Sequence, residues 1–179
     1  MNTIGASYAQ ALYDLAKDEE QETQILEQMQ ALDAAFSQEP AFLRLLSVPN
    51  LSKEERCGII DSSFQDKVHP YLLNVMKILS EKGYARQFSA CCKAYRELYY
   101  TDHGILCVLA VSAVALSLQQ SEKLTQKLET ITGKKVLLEN RVDPQCLGGV
   151  RLDYDGKRLD GTVKNRLDSI AGLLKNTVL

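Results

Sequence analysis

The two histidines are the first residues to examine for catalysis, because imidazole titrates near neutral pH and serves as a general base or a metal ligand. His69 and His103 lie on opposite sides of predicted helix boundaries. Neither has a serine or cysteine nearby that would indicate an activated nucleophile. A catalytic triad is therefore not predicted.

Two further segments have residue types typical of ligand sites. The sequence TGKK (132–135) contains Gly-Lys but lacks the earlier glycine and the following Ser or Thr of a phosphate-binding loop, so Gly133 is better interpreted as a helix C-terminus. Asp153, Asp155 and Asp160 surround a tight turn, where aspartates usually form the turn itself rather than a calcium site. The sequence thus predicts no catalytic residue, no cofactor and no metal site.

The five cysteines occur at positions 57, 91, 92, 107 and 146. Their number is odd and no C-x-x-C spacing occurs, so neither a disulfide framework nor a zinc site is indicated. We expect all of them to be small buried hydrophobic residues in a reducing compartment.

Composition limits the classes of protein that the chain could belong to. Of its 179 residues, 45% are hydrophobic and 25% charged, as in globular proteins. The net charge of −2, with basic and acidic residues interleaved, is unlike the basic surface of a nucleic-acid-binding protein. Nucleic acid is therefore not the predicted partner.

Membrane segments are not predicted. The N-terminus has no signal-peptide pattern, and the longest apolar run, 105–116, is shorter than the ~20 residues that span a bilayer. We expect a soluble intracellular chain that reaches a membrane only indirectly, through a partner. The lack of a transit peptide favours a bacterial or otherwise unprocessed protein.

Helical periodicity dominates the first hundred residues. Pro40 and Pro70 are placed to begin helices, Gly83 to end one, and Ser52–Glu55 (SKEE) forms a capping box. The short connections favour a compact bundle of six helices. The predicted helices cover residues 3–19, a second segment marked by Ile25, Met29, Leu32 and Phe36, a third from Pro40, a fourth after Ser52, a fifth from Pro70, and 86–102.

After Gly104 the pattern changes to that of a small α/β domain. Residues 105–116 are rich in β-branched residues, as in a central strand buried on both faces. A capping box at Ser117–Gln120 begins a helix that Gly133 ends, and two alternating strands follow. Asp155-Gly156 predicts a two-residue hairpin turn, and a final helix follows. The predicted fold is mainly α with an α/β part: a six-helix bundle (1–104) and an α/β domain with a mixed sheet and hairpin (105–179).

The first and fifth helices have apolar stripes that are wider than the ~100° a surface helix needs. Two interpretations stay open: the two helices are enclosed in the core, or they offer a groove to a partner helix. The stripe of the first helix comprises Ile4, Tyr8, Ala11, Leu12 and Leu15, extended by Ala9, Tyr13 and Ala16, and that of the fifth comprises Tyr71, Leu72, Leu73, Val75, Met76, Ile78 and Leu79.

Two segments resemble the F-type ATP synthase delta subunit family, whose mitochondrial counterpart is the oligomycin-sensitivity-conferring protein. YAQALYDLA (8–16) resembles the family's N-terminal domain, and 142–167 resembles its C-terminal signature. Cys146, Asp153 and Thr162 depart mildly from the usual residues. We interpret the signature as a fold-specifying scaffold in which the glycines permit a close approach and Thr162 caps the last helix. Its residues are Gly148, Gly149, Asp160, Gly161, Thr162, Arg166 and Leu167.

The resemblance implies a non-catalytic stator subunit in the peripheral stalk of a proton-translocating ATP synthase. It implies that 1–104 binds the N-terminal helix of an alpha subunit in the groove described above, where Tyr8, Ala11, Val75 and Ile78 match the family's groove by position. The groove residues implied in this way are Tyr8, Ala11, Leu12, Leu15, Val75, Ile78 and Leu79. The resemblance also implies that 105–179 binds the C-terminal end of the b subunit. It further implies one copy per hetero-oligomeric complex, located as a peripheral protein at the cytoplasmic side of a bacterial cell membrane.

Three other classes of protein are less favoured. An adaptor or RNA-associated helical bundle of the antitermination type fits poorly with the acidic balance and the α/β domain. A small enzyme would need convergent polar groups that the sequence does not supply. A homo-oligomer could bury the wide apolar stripes instead of a foreign helix.

Overall fold

The computed structural model describes residues 3–48, 51–165 and 167. The chain divides into two compact units, residues 1–99 and 100–179, with the division inside the last turns of a helix. A mainly helical chain with a four-stranded mixed sheet is confirmed. Each unit is described by itself below.

The N-terminal unit consists of α-helices that begin and end close to the predicted positions. A capping box starts α4, with Glu55 N donating to Ser52 Oγ and Ser52 N donating to Glu55 Oε2, as predicted. The left-handed backbone of Gly83 follows α5, also as predicted. The α-helices are α1 (Thr3–Asp18), α2 (Glu22–Gln38), α3 (Pro40–Leu45), α4 (Lys53–Phe64), α5 (Pro70–Glu81) and α6 (Phe88–Asp102), and a short 3-10 helix (Ala85–Gln87) precedes α6.

One hydrophobic core joins these helices. Phe36 of α2 lies among three other rings, 5.4 Å from Phe42, 6.1 Å from Phe64 and 5.2 Å from Phe88. On the α1 side, the rings of Tyr13 and fully buried Tyr95 make an edge contact at 5.3 Å. Such aromatic pairs add to the apolar area that they bury, so they fix how α1, α2 and α6 pack together.

The C-terminal unit is a βαβ element extended by a hairpin. Its elements are β1 (Ile105–Ser112), α7 (Leu118–Thr132), β2 (Lys135–Val142), β3 (Val150–Tyr154) and β4 (Lys157–Asp160). The sheet order is β2-β1-β3-β4; β1 and β2 are parallel, and the other pairs are antiparallel. The predicted Ser117–Gln120 box and the Gly133 terminus of α7 are confirmed.

The prediction that β1 is buried on both faces is partly wrong. β1 is central, and its Leu106 and Val108 form a core cluster with Val136, against which Leu128 of α7 packs. On the opposite face of β1 only Val111 is buried. Successive strand residues point to opposite faces. Cys107 therefore points away from this core and is exposed.

The prediction that all five cysteines are buried is also wrong, since Cys57 is half-buried and Cys107 exposed. The remaining three are buried. Burial raises the pKa of Cys91 to about 12 and that of Cys92 to about 11, so these two thiols stay protonated and unreactive near neutral pH.

Candidate partner-binding site

The wide apolar stripes of α1 and α5 each divide into a buried and an exposed part. In α1, Leu12 and Tyr13 face the core, whereas Ala11 and Leu15 are exposed. In α5, every large apolar residue from Leu72 to Leu79 is buried except Ile78, which is 38% exposed. Most of each stripe is therefore core, and the apolar side chains that remain exposed are Ala11 and Leu15 on α1 and Ile78 on α5.

The predicted groove residues accordingly lie at two depths. Leu12, Val75 and Leu79 are buried beneath the surface. Tyr8 is half-buried against the core. The exposed members are Ala11, Leu15 (49% exposed) and Ile78. Because α1 packs directly on α5, these exposed side chains belong to neighbouring helices.

Polar contacts hold the start of α5 beside the end of α1. The Tyr71 hydroxyl donates a hydrogen bond to Glu19 Oε1, and this bond raises the pKa of Tyr71. The Nδ1 atom of His69 caps α5 by accepting a hydrogen bond from Tyr71 N at 3.3 Å, while the backbone N–H of His69 donates to Gln28 Oε1 at 2.7 Å. Sequence reasoning did not identify these hydrogen bonds, although a polar residue before Pro70 is a typical helix-start signal.

The other end of α5 is held by Arg56 of α4. Its guanidinium donates to Ser80 O at 3.1 Å, to Leu51 O at 2.9 Å and to Val48 O at 3.3 Å. One charged group thus donates hydrogen bonds to a carbonyl of the last turn of α5 and to two carbonyls of the loop before α4. Lys77 and Asp61 form an ion pair at 2.6 Å between the same two helices. Both ends of α5 are therefore fixed in place.

The signature glycines make the close approach that the sequence predicts. Gly149 has φ +77°, and a Cβ on it would lie 2.5 Å from Gly161 O and 3.1 Å from Thr162 Cα. Gly161 N donates to Val150 O, and Val163 N donates to Gly148 O. Since a side chain at position 149 would collide with backbone atoms, this glycine is required by the fold.

The segment after β4 ends in a cap. Asp160 Oδ1 accepts from Thr162 N at 3.0 Å and from Thr162 Oγ1 at 2.6 Å, and these bonds lower the pKa of Asp160. Thr162 Oγ1 in turn accepts from Asn165 N, which confirms the predicted helix cap. Leu167 is exposed. Arg166 and the rest of the predicted last helix lie outside the described residues.

The hairpin between β3 and β4 has the predicted two-residue turn. Asp155 (φ +45°) and Gly156 (φ +70°) join Tyr154 to its partner Lys157. Asp153 lies between Arg158, at 2.7 Å, and Arg151, at 3.4 Å. The hydrogen bond from Arg158 is the main cause of the lowered pKa of Asp153. Asp155 thus forms part of the turn, and Asp153 forms ion pairs with the two arginines of the hairpin.

Within the described residues, no group of three His, Cys, Asp or Glu side chains is arranged to hold a metal ion. The same part of the chain contains no helix with the length and apolar character needed to cross a membrane.

Comparison with known proteins agrees with this fold. A family model described as "ATP synthase delta (OSCP) subunit" matches residues 4–174. The protein "ATP synthase subunit delta" of Alkaliphilus oremlandii is 31% identical over 164 residues, covering 92% of this chain and 91% of that protein. The protein of the same name from Lacticaseibacillus casei is 30% identical over 172 residues, covering 96% and 94%.

A solved structure has the same fold. A chain in the cryo-EM structure of the Toxoplasma gondii mitochondrial ATP synthase hexamer superposes with a TM-score of 0.72 at 21% identity, covering 95% of this chain and 96% of that one. The family model and the two relatives show that the chain belongs to the ATP synthase delta (OSCP) subunit family. It is a structural component of the peripheral stalk and not a catalytic subunit.

Proposed function

We propose that the chain binds the N-terminal helix of an alpha subunit between α1 and α5, and so holds the catalytic head against rotor torque. The observation that supports this most directly is the apolar strip of Ala11, Leu15 and Ile78, which is exposed on two helices that pack against each other. An amphipathic partner helix would bury these side chains together with the exposed part of Tyr8.

In this proposal the buried groove residues have a supporting role. Leu12, Val75 and Leu79 pack beneath the surface and keep Ala11 and Ile78 at fixed positions. A preformed apolar surface loses little conformational entropy on binding, which favours affinity. The proposed binding region is the helical bundle of residues 1–104, built from the six helices α1–α6.

The second attachment in this proposal is made by residues 105–179, which would bind the C-terminal end of the b subunit. With one domain on the head and one on the stalk, a single copy per complex is sufficient to join them. The chain would then be a peripheral protein at the cytoplasmic side of a bacterial cell membrane, connected to the membrane only through the complex.

The alpha-subunit contact can be tested by calorimetric titration of the full chain with a synthetic peptide of the alpha subunit's N-terminal segment. We expect saturable binding that the double substitution Ala11→Asp, Ile78→Asp weakens by about tenfold or more, since burying an unpaired carboxylate among apolar groups is costly. Circular dichroism would establish that the variant is folded.

A matched control introduces the same charges elsewhere on the helical unit. Ala34 and Leu45 are exposed on α2 and α3. A double variant with Ala34→Asp and Leu45→Asp should therefore bind the peptide with the affinity of the wild type. Absence of peptide binding by the folded wild-type chain would contradict the proposal. Light scattering would then test whether the apolar strip joins two copies of the chain instead.

A further inference from the structure

Five aliphatic side chains are exposed in the segments that adjoin one end of the C-terminal sheet. β1 and β2 are parallel, so the loops that follow them leave the sheet at the same end. Leu118 is 84% exposed at the start of α7, and Leu147 is 67% exposed in the loop before β3. We call this set the aliphatic end; it comprises Val114, Leu118, Val142, Leu147 and Val163.

Hydrogen bonds hold the segments of the aliphatic end against each other. Asn140 Nδ2 donates to Ala110 O and to Ser112 Oγ, each at 2.9 Å, while Asn140 Oδ1 accepts from Leu116 N. Asp143 N donates to Ser112 O at 2.8 Å. The loops after β1 and β2 are therefore tied to the same strand ends, and their exposed aliphatic residues are held by an ordered backbone.

Leu147 adds an independent observation. Its backbone has φ +62°, the left-handed region that favours glycine and is costly for a branched side chain. Glycine stands at the next two positions, yet the strained residue is a leucine whose side chain is mostly exposed. Because strain of this kind persists where the surrounding structure enforces it and often marks a binding surface, Leu147 is a candidate contact residue.

The charges beside the aliphatic end indicate the chemistry of its partner. Arg141 precedes Val142, Lys164 follows Val163, and both are exposed. The adjoining Asp143 is half-buried and accepts a hydrogen bond from Gln145 N. A complementary surface would have an aliphatic stripe bordered by carboxylates.

We infer that the aliphatic end is the surface on which residues 105–179 receive the stalk: an amphipathic b-subunit helix with an aliphatic stripe flanked by acidic residues packs on Leu118 and Leu147. This inference rests on the stalk attachment in the proposed function and specifies where it occurs. An aliphatic contact of this kind releases water from the exposed leucines, and the two basic residues orient the incoming helix.

The test uses the full chain and the soluble, membrane-free part of the b subunit, with affinity measured by calorimetry. Leu147→Gly removes the side chain at a position where glycine fits the backbone, so the unfolding temperature should stay the same or rise. In combination with Leu118→Ala it should weaken b-subunit binding by about tenfold or more. Arg141→Gln should reduce the dependence of that affinity on salt.

Ile131 provides the matched control, because it is 80% exposed in the last turn of the same helix that begins with Leu118. Ile131→Ala should bind the b subunit within about twofold of wild type, well under the tenfold that corresponds to a hot-spot loss. Unchanged b-subunit binding by the Leu118→Ala, Leu147→Gly variant would overturn the inference, and so would an equal loss in Ile131→Ala.

The alpha-subunit peptide separates this inference from the proposed function. If the aliphatic-end variant still binds the peptide and has lost the b subunit, both stand. If the wild-type chain binds the alpha-subunit peptide but does not bind the b subunit, the stalk attachment and this inference both fail. The proposed head contact then remains. If the wild type binds the b subunit but not the peptide, the head contact alone fails.

Discussion

Single residues of the C-terminal signature have structural tasks that their types explain. Gly149 combines a left-handed backbone with an approach to Gly161 O that leaves no room for a Cβ atom. Asp160 organises the cap of the following segment through Thr162. These residues specify how the end of the hairpin packs, which explains why a signature without catalytic side chains can still be specific.

Gly149→Ala should destabilise the C-terminal unit by more than about 3 kcal/mol, because strain of about 1–2 kcal/mol adds to a collision with backbone atoms. Gly156→Ala is the matched control. Gly156 also has a positive φ, but no atom lies within 4 Å of its would-be Cβ, so only the strain remains. Urea unfolding measures both; equal losses would contradict the steric explanation.

The pH dependence of stability should include a contribution from Asp160. The pKa of Asp160 is lowered in the folded chain. Its charged carboxylate therefore stabilises the fold at pH values above the unfolded-state pKa of about 3.9, and this stabilisation is lost as the pH falls through the folded-state pKa. Asp160→Asn should therefore be less stable than wild type at pH 7, and the difference should shrink towards pH 3.

Urea unfolding at several pH values checks this, with Glu139→Gln as the control. Glu139 is an exposed carboxylate of β2, so its variant should follow the wild-type pH profile more closely. A difference for Asp160→Asn that stays constant between pH 7 and pH 3 would show that the carboxylate charge is not what stabilises the cap.

At the scale of elements, the candidate site depends on where α5 is held. Tyr71 and His69 fix its first turn, and Arg56 fixes its last. Between them, Ile78 stays on the surface while its neighbours are buried. The exposed strip thus has a position that is determined by contacts at both ends of the helix.

Arg56→Met should destabilise the helical unit by about 2–3 kcal/mol, because three carbonyl groups lose a charged donor. Arg44→Met on α3 is the control. Arg44 is exposed, and within the described part of the chain its side chain donates to Pro40 O of its own helix, at 3.4 Å. The substitution should therefore change the free energy of unfolding by no more than about 0.5 kcal/mol. Equal effects of the two substitutions would exclude the role assigned to Arg56.

At the scale of the whole molecule, the buried apolar residues of the described part of the chain form two hydrophobic cores that share no residue. One extends over α1–α6, and the other lies between the sheet and α7. In the proposed function, each of the two attachment surfaces would therefore be built on a core of its own.

Two Leu→Ala substitutions test the separation of the cores. Leu72 is fully buried in the helical unit and Leu106 is 4% exposed in the α/β unit. Each substitution should cost about 2–5 kcal/mol and lower only the unfolding transition of its own unit. Calorimetric scans of the full chain would resolve this. A shift of both transitions by either substitution would show that the two units unfold together.

Much of the fold follows from local sequence features. The boxes at Ser52 and Ser117, the terminus at Gly133 and the Asp155-Gly156 turn were predicted because each involves residues within about four positions of one another. The Gly148-Gly149 approach was also predicted as a type of contact, although its partner, Gly161, was not.

The burial of individual apolar side chains could not be predicted from the same sequence patterns. The stripes of α1 and α5 are uniformly apolar in sequence, yet Leu12 is enclosed while Ala11 and Leu15 are exposed. Cys107 lies in a continuous apolar run and still reaches the surface. Leu147 adopts a backbone conformation that its residue type disfavours.

The sequence by itself therefore determined the elements, their order and the family, because these depend on short-range spacing and on residue type. Only the tertiary structure decided which apolar side chains remain available to a partner. The physical reason is that burial depends on which distant segments pack over a side chain, and no local period specifies that.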